Sequence, residues 1–143
     1  MSEAVIRMLD HTADVGFEVR APTLGGLFEE ALRGLLLVMF EQPPERGRDE
    51  RRVSLRAPDL ETLLVRWLNE LAYLIQEESF VPAGGTPEVH SGAEGFSLAA
   101  SLSGAGFDPE EQGWQGEVKS ATFHGLAVER GKGGWRARVI LDV

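Results

Sequence analysis

Two segments of the chain combine an alternating pattern of apolar residues with a helical one, in the same order. Residues 17–21 alternate apolar and charged positions, and apolar residues then recur every three or four positions over 24–39. Residues 53–57 alternate in the same way, and the helical period returns over 60–75. Alternation is typical of a strand that buries one face, and the longer period is typical of a helix with one apolar stripe. The pattern therefore predicts two strand-helix units.

The junction between strand and helix is nearly the same in both units. The sequence RAPTL at 20–24 recurs as RAPDL at 56–60. Thr23 and Asp59 each follow a proline, and their side-chain oxygens can accept a hydrogen bond from an unpaired N–H of a first helical turn. Helices are therefore predicted to begin directly after these caps. The repetition indicates either an internal duplication or two independent uses of a common junction.

Beyond residue 78 the helical period disappears, and short segments typical of strands alternate with glycine-rich turns. These segments are 88–90, 96–102, 117–123, 126–130 and 135–141. The glycines of 131–134 predict the tip of a hairpin, while the linker 41–51 has the Pro, Gly and charged residues of a surface loop. We predict one α+β domain over 1–143, with two helices on a largely antiparallel or mixed sheet and internal modules starting near Val15 and Val53.

Composition narrows the possible functions. The chain has 143 residues, with 14 Lys and Arg against 23 Asp and Glu, and a net charge of -9 argues against a nucleic-acid groove as its main feature. Because cysteine is absent, any metal must be held by oxygen or imidazole. The N-terminus lacks a signal-peptide pattern, and the longest apolar run, 35–40, is too short to cross a bilayer. The protein is expected in the cytoplasm, with a protein, a cation or a basic molecule as its partner.

Carboxylates and an imidazole occur at both ends of the chain. His11 and Asp14 close the first strand in the tetrad HTAD, where Asp14 could bind a cation or cap the N–H groups of a loop. Asp142 follows an apolar strand pattern and precedes only Val143. A hard cation held by Asp142 and the carboxylate of Val143 would tie down an end that is otherwise ragged. Ca²⁺ suits such oxygen ligands, and Mg²⁺ or Mn²⁺ also accepts them.

Other polar residues favour an enzyme only weakly. Ser120 and His124 are four residues apart in a strand, about 13 Å, and no nucleophile elbow is present. His90 is predicted at the surface, and the glycine-rich stretch 104–116 lacks the lysine and the spacing of a phosphate-binding loop. A metal-dependent hydrolase with His11 or His124 as its base remains one alternative. A small-molecule binding module with a groove between the two units is another.

Four motifs, in order along the chain, resemble the archease family. They are DHTADVG at 10–16, WLNEL at 67–71, KSATFH at 119–124 and the terminal LDV at 141–143. Archeases are small non-catalytic cofactors of the RtcB-type RNA-splicing ligase, which joins tRNA halves or seals broken RNA. The resemblance implies that this protein is no enzyme. It implies instead that the protein promotes guanylylation of the ligase and supports its multiple turnover in tRNA splicing or RNA repair.

The resemblance also implies a fold and a metal site. The fold would be two strand-helix-strand-strand modules. The partner would be the ligase, and neither direct stable nucleic-acid binding nor membrane binding is expected. The divalent cation, Ca²⁺ in first place, would be held by Asp14, Asp142 and Val143. Its implied neighbours are His11, Lys119 and His124. The sequence departs from the family at Phe123, where tyrosine is common, and at Ser120, where alanine is common, so no role for a phenol hydroxyl carries over.

Overall fold

The chain alternates strands with two long helices in its first half and continues mainly in strands. The computed structural model describes residues 4–10 and 14–143, with the side chains of residues 9 and 10 outside the description. The predicted site residue His11 therefore lies outside the described residues. The elements are β1 (Val5–Asp10), β2 (Asp14–Ala21), α1 (Leu24–Met39), β3 (Asp49–Ala57), α2 (Leu60–Gln76), β4 (Phe80–Gly84), β5 (Glu88–Gly92), β6 (Gly95–Gly106), α3 (Pro109–Gln112), β7 (Ser120–Gly131) and β8 (Gly134–Asp142).

Both long helices begin where the sequence predicts. The Thr23 hydroxyl accepts a hydrogen bond from the N–H of Gly26 at 3.1 Å, and the Asp59 carboxylate accepts one from the N–H of Thr62 at 2.7 Å. Each cap satisfies a donor that the first turn leaves without an intrahelical acceptor. The two junctions are therefore formed by the same local chemistry.

The strands form two antiparallel sheets. The first has the order β1-β2-β8-β7, and the second has the order β3-β6-β4 with β5 also paired to β6. The α+β class is confirmed, but the strands are divided between two sheets where the sequence predicts one. The division arises because the strand of each strand-helix unit pairs with a different later strand, β2 with β8 and β3 with β6.

The second sheet is inserted into the first along the chain. Strands β3 to β6 all lie between α1 and β7, so the first sheet combines strands from both ends of the described sequence. Gly134 and Gly95 begin β8 and β6 at positive φ, and a Cβ on either would collide with the carbonyl oxygen of Ala21 or Ala57. Both sheets thus bring a glycine against the strand-to-helix junction. Repeated modules as the origin of this likeness stay a prediction.

The core takes one face of each sheet and the apolar stripes of both long helices. Trp67, Phe17 and Phe28 are among its largest fully buried side chains. The indole N–H of Trp67 in α2 donates to the Phe28 carbonyl in α1 at 2.9 Å, which joins the two helices inside the core. The opposite face of the first sheet, the open face, exposes charged residues towards the β7-β8 hairpin, buries Ile140 beside Gly125, and carries the candidate site at its other end.

Four features predicted from the sequence differ from the structure. The loop after α1 ends at residue 48 because β3 already begins at Asp49. The two segments 117–123 and 126–130 form one bulged strand, β7, which starts only at Ser120. The glycine-rich stretch 104–116 contains the short helix α3, capped by Asp108, and strand β4 was not predicted. No helix in the described part of the chain has the length and apolarity needed to cross a membrane.

Candidate functional site

Asp14 and Asp142 lie directly opposite each other at one end of the first sheet. Asp14 begins β2, Asp142 ends β8, and the two are antiparallel partners. Partners of this kind have Cα atoms about 4.5–5.5 Å apart and side chains on the same face. The fold therefore brings together the two aspartates that the sequence places near opposite ends of the chain.

Lys119, directly before β7, and Ser120, the first residue of that strand, lie beside Asp142. Ser120 is the partner of Asp142 on the side away from Asp14. The N–H of Lys119 donates to the carbonyl oxygen of Asp142 at 2.8 Å, and the Lys119 side chain is exposed. Val143 follows Asp142 directly and is 42% exposed. Lys119 is thus adjacent to the aspartate pair through the backbone.

His124 is placed differently from the other predicted neighbours. It lies in an irregular part of β7, between the pairs Thr122–Ile140 and Ala127–Arg138, where residues 123–126 face a single residue of β8. Its side chain is exposed and forms no hydrogen bond or ion pair with any described residue. The described contacts therefore do not join His124 to Asp14 or Asp142.

Helix α2 fixes the backbone beside the aspartate pair. The Asn69 side-chain oxygen accepts a hydrogen bond from the N–H of Ala121 at 2.7 Å. The Gln76 amide accepts from the N–H of Val118 at 2.8 Å and donates to the carbonyl of the same residue at 2.9 Å. These three bonds hold the backbone on either side of Lys119 and Ser120. The helix therefore supports the site although it supplies none of the predicted ligands.

Sequence reasoning missed this support. Asn69 entered only as part of the motif at 67–71, and Gln76 did not enter at all. A signal was available, because the two amides are seven residues apart and so lie on the same face two turns along the helix. Amides in that position, beside a stripe of leucines, indicate hydrogen bonds to neighbouring backbone.

The chemistry of the aspartate pair fits a hard cation. Within the described residues, neither Asp14 nor Asp142 forms an ion pair with a basic side chain. Like charges directly opposite on a sheet repel, and a divalent cation between them would remove the repulsion. No group of three or more His, Cys, Asp or Glu side chains that could hold a metal occurs in the described chain. Side chains there supply two oxygen ligands, and the third predicted donor is the carboxylate of Val143.

A wide groove lies elsewhere on the molecule, beside helix α1. Its volume is about 1250 Å³, and its apolar lining includes Leu36, Leu37 and Phe107. Five carboxylates and two arginines also line it: Glu29, Glu41, Glu45, Asp108, Glu111, Arg33 and Arg46. The groove therefore presents apolar surface with a net negative charge.

The fold and the aspartate pair define a small α+β protein of two helix-backed antiparallel sheets, with a two-carboxylate site at the end of one sheet. Residues 7–143 match the archease protein family (MTH1598/TM1083), and the chain belongs to this family. The resemblance of the four motifs is confirmed by this match.

Relatives with known names or structures agree over nearly the whole chain. Protein archease of Methanosarcina mazei is 37% identical over 136 residues, which cover 94% of this chain and 93% of that protein. The solution structure of protein 1598 from Methanobacterium thermoautotrophicum has a TM-score of 0.79 and 28% identity, with 96% and 98% of the two chains covered. A crystal structure from Thermotoga maritima, described as an archease and possible chaperone, has a TM-score of 0.62 and 20% identity, with 94% of each chain covered. The last likeness supports the fold alone.

Proposed function

We propose that this protein is an accessory protein that activates an RtcB-type RNA ligase. It would promote guanylylation of the ligase and multiple turnover in tRNA splicing or RNA repair, without a catalytic step of its own. The observation that carries the proposal is the pairing of Asp14 with Asp142 in a chain of the archease family.

In this proposal a divalent cation, Ca²⁺ in first place and Mg²⁺ or Mn²⁺ otherwise, is held by Asp14, Asp142 and the carboxylate of Val143. The bound ion would neutralise the carboxylates and present positive charge at the end of the sheet. Lys119 and Ser120 would border it, since both lie beside Asp142. His11 stays a predicted neighbour outside the described residues.

Charge supports a protein partner that handles RNA. Such a ligase must offer a basic surface to its substrate, and a protein of net charge -9 is attracted to that surface over several ångströms. The groove beside α1 adds apolar area rimmed by carboxylates, which suits a basic segment of the ligase. Both features favour contact with the enzyme.

The test is a ligation assay with the cognate ligase, excess RNA ending in a 2′,3′-cyclic phosphate, and substoichiometric amounts of this protein. We expect the ligase to pass from one turnover to many. Asp14→Asn should lose this activation while it remains folded, as its circular dichroism spectrum will show. Glu50→Gln, which removes one exposed carboxylate from β3, is the matched control and should activate normally.

Two results would contradict the proposal. Full activation by Asp14→Asn at saturating metal would remove the role of the aspartate pair. RNA hydrolysis by the purified protein that disappears in His124→Ala would instead support the hydrolase alternative.

A further inference from the structure

The open face of the first sheet carries rows of charged side chains that cross the strands. Arg20 on β2 is the partner of Arg136 on β8, which is the partner of Glu129 on β7. One step along the sheet, Glu18 is the partner of Arg138. Side chains at directly opposite positions share a face, and this face is the one turned away from the buried Phe17, Val19 and Val139. The rows are therefore exposed to solvent.

The half of this face nearer the β7-β8 hairpin is positively charged on an acidic protein. Five cations lie there or at the hairpin tip against two carboxylates, a net of +3, whereas Asp14 and Asp142 make the other end of the same face acidic. The cations are Arg7, Arg20, Lys132, Arg136 and Arg138, and the carboxylates are Glu18 and Glu129. The total charge of the chain conceals this local excess.

The carboxylates compensate only part of the basic group. Arg136 pairs with Glu129 at 2.5 Å, and Arg7 approaches Glu18 at 4.0 Å. Arg20 and Arg138 form no ion pair within the described part of the chain. Arg20 also stands directly opposite Arg136, an arrangement of like charges that costs stability unless an anion lies between them. Arg20 and Arg138 are thus available to an anionic ligand without breaking an ion pair, whereas Arg136 would share its guanidinium between the ligand and Glu129.

Two cavities open between these arginines and the irregular backbone beside them. One of about 760 Å³ is lined by Arg20, Arg136 and Lys132 together with the glycines of the β7-β8 hairpin. One of about 260 Å³ is lined by Arg136, Arg138 and Gly125 of the β7 bulge, together with Glu18 and Glu129. The bulge also exposes 59% of Phe123 to solvent. An exposed aromatic ring therefore lies on β7 two residues before Gly125, which lines the smaller cavity.

We propose that the half of the open face nearer the β7-β8 hairpin binds single-stranded nucleic acid through its phosphodiester backbone. Arg20, Arg136 and Arg138 would contact phosphates, and Phe123 would stack on a base. Arg136 and Arg138 share a face two residues apart, about 7 Å, which is comparable with the spacing of successive phosphates in an extended strand. A positive groove with an aromatic platform is the combination that single-strand binding uses.

An acidic protein segment is the competing ligand, because it also carries negative charge. The exposed ring of Phe123 favours nucleic acid, since every base offers a face on which an aromatic side chain stacks and a carboxylate does not. The inference goes beyond ligase activation and is tested on the protein alone. Its failure and the failure of ligase activation are separate results.

The experiment measures the fluorescence anisotropy of a labelled short oligouridylate, in RNA and DNA forms, with the isolated protein. Three phosphate contacts predict that affinity falls roughly 20-fold between 50 mM and 200 mM salt. The double variant Arg20→Gln, Arg138→Gln should bind at least about tenfold more weakly and show a smaller salt dependence. The double variant Arg52→Gln, Arg56→Gln removes the same charge from exposed positions on β3 and should bind like the original protein.

Further arms identify the ligand. Phe123→Leu should weaken oligonucleotide binding and leave any binding of poly-glutamate unchanged. Equal affinity for RNA and DNA would assign the contacts to the shared backbone, and tighter binding of RNA would add its 2′-hydroxyl; both uphold the proposal. The proposal would be overturned if the oligonucleotide did not bind at 50 mM salt, or if its binding did not weaken between 50 mM and 200 mM salt. Equal losses in the two double variants would also overturn it, as would binding of poly-glutamate as tight as that of the oligonucleotide.

Discussion

A single glycine sets how closely helix α1 approaches strand β2. A Cβ added at Gly34 would lie 2.5 Å from a ring carbon of Phe17, which is fully buried. The ring has no solvent into which it can move, because the core packs against it. The spacing of apolar residues that predicts helix α1 does not reveal that Gly34 packs against Phe17.

Gly34→Ala should therefore lower the free energy of unfolding. Overpacking costs about 1–3 kcal/mol, while alanine improves helix propensity by about 1 kcal/mol, so we expect a net loss of roughly 1 kcal/mol. Urea denaturation measures the difference. Gly106→Ala is the control, because a Cβ there meets no atom within 4 Å. A Gly34→Ala protein as stable as the original would show that α1 can shift away from the sheet without cost.

The two helix caps should respond differently to acid. The hydrogen bond from Thr62 lowers the pKa of Asp59 below its ordinary value of 3.8. A lowered pKa in the folded state means that the carboxylate stabilises the fold above the unfolded pKa, and that this contribution is lost as the pH falls through the lower, folded value. The stability lost in Asp59→Ala should therefore shrink when the pH is lowered below about 4.

Thr23→Ala is the matched control for this pH dependence. Thr23 caps α1 at the equivalent junction with a neutral hydroxyl, so its loss, about 1 kcal/mol, should stay constant over the same pH range. The measurement is chemical denaturation of both variants and the original protein at pH 7 and pH 3. A pH-independent difference for Asp59→Ala would contradict the assignment.

At the level of elements, helix α2 holds the start of β7 through amide side chains. Gln76→Leu should leave the N–H and the carbonyl of Val118 without their hydrogen-bond partners. We expect the free energy of unfolding to fall by about 1–3 kcal/mol. Hydrogen exchange should accelerate locally over 118–121 and leave β2 protected. Glu77→Gln, at the neighbouring exposed position, should change neither quantity. Uniform acceleration over the whole chain would instead indicate that Gln76 supports global folding only.

Elements fixed by neighbouring residues could be predicted from the sequence, and elements fixed by distant pairing could not. Thr23 and Asp59 mark both helix starts, and the glycines of 131–134 mark the β7-β8 hairpin. Strand β4 has five residues and contains Pro82, so it lacks a clear strand pattern. The bulge in β7 exposes Phe123, which strict alternation would place beside the buried Ala121.

The candidate site, too, could be predicted from the sequence only in part. Asp14 and Asp142 could be selected because acidic residues stand out at the ends of strand patterns. Their shared row with Ser120, and the arginines gathered on the open face, depend on a register between strands that no local pattern specifies. The charge of the whole chain points to basic partners, whereas the pairing of strands gathers basic residues on the half of one face nearer the β7-β8 hairpin.

At the scale of the whole molecule, a bound metal should join strands β2 and β8, which lie near opposite ends of the chain. A cation at about 100 times its dissociation constant stabilises the fold by about 2.7 kcal/mol. We expect Ca²⁺ to raise the melting temperature of the original protein and not that of Asp142→Asn. Without metal, Asp142→Asn should be the more stable of the two, because it removes the repulsion with Asp14.

Tagged proteins test the third ligand. A C-terminal extension replaces the carboxylate of Val143 by an amide and should remove most of the Ca²⁺-induced shift, whereas an N-terminal extension should preserve it. Differential scanning calorimetry with and without Ca²⁺ measures both. Equal shifts in the two tagged proteins would exclude the Val143 carboxylate as a ligand.

The insertion of the second sheet into the first has a consequence during synthesis on the ribosome. Strands β1 and β2 emerge early, but β8, the partner of β2, follows only after strands β3 to β6. At 5–20 residues per second, β2 waits on the order of ten seconds with one edge unpaired. Its charged residues Glu18 and Arg20 discourage pairing with other nascent chains during that interval. The inserted sheet, whose strands are close together in sequence, is expected to fold first and to leave the aspartate site as the last part of the molecule to form.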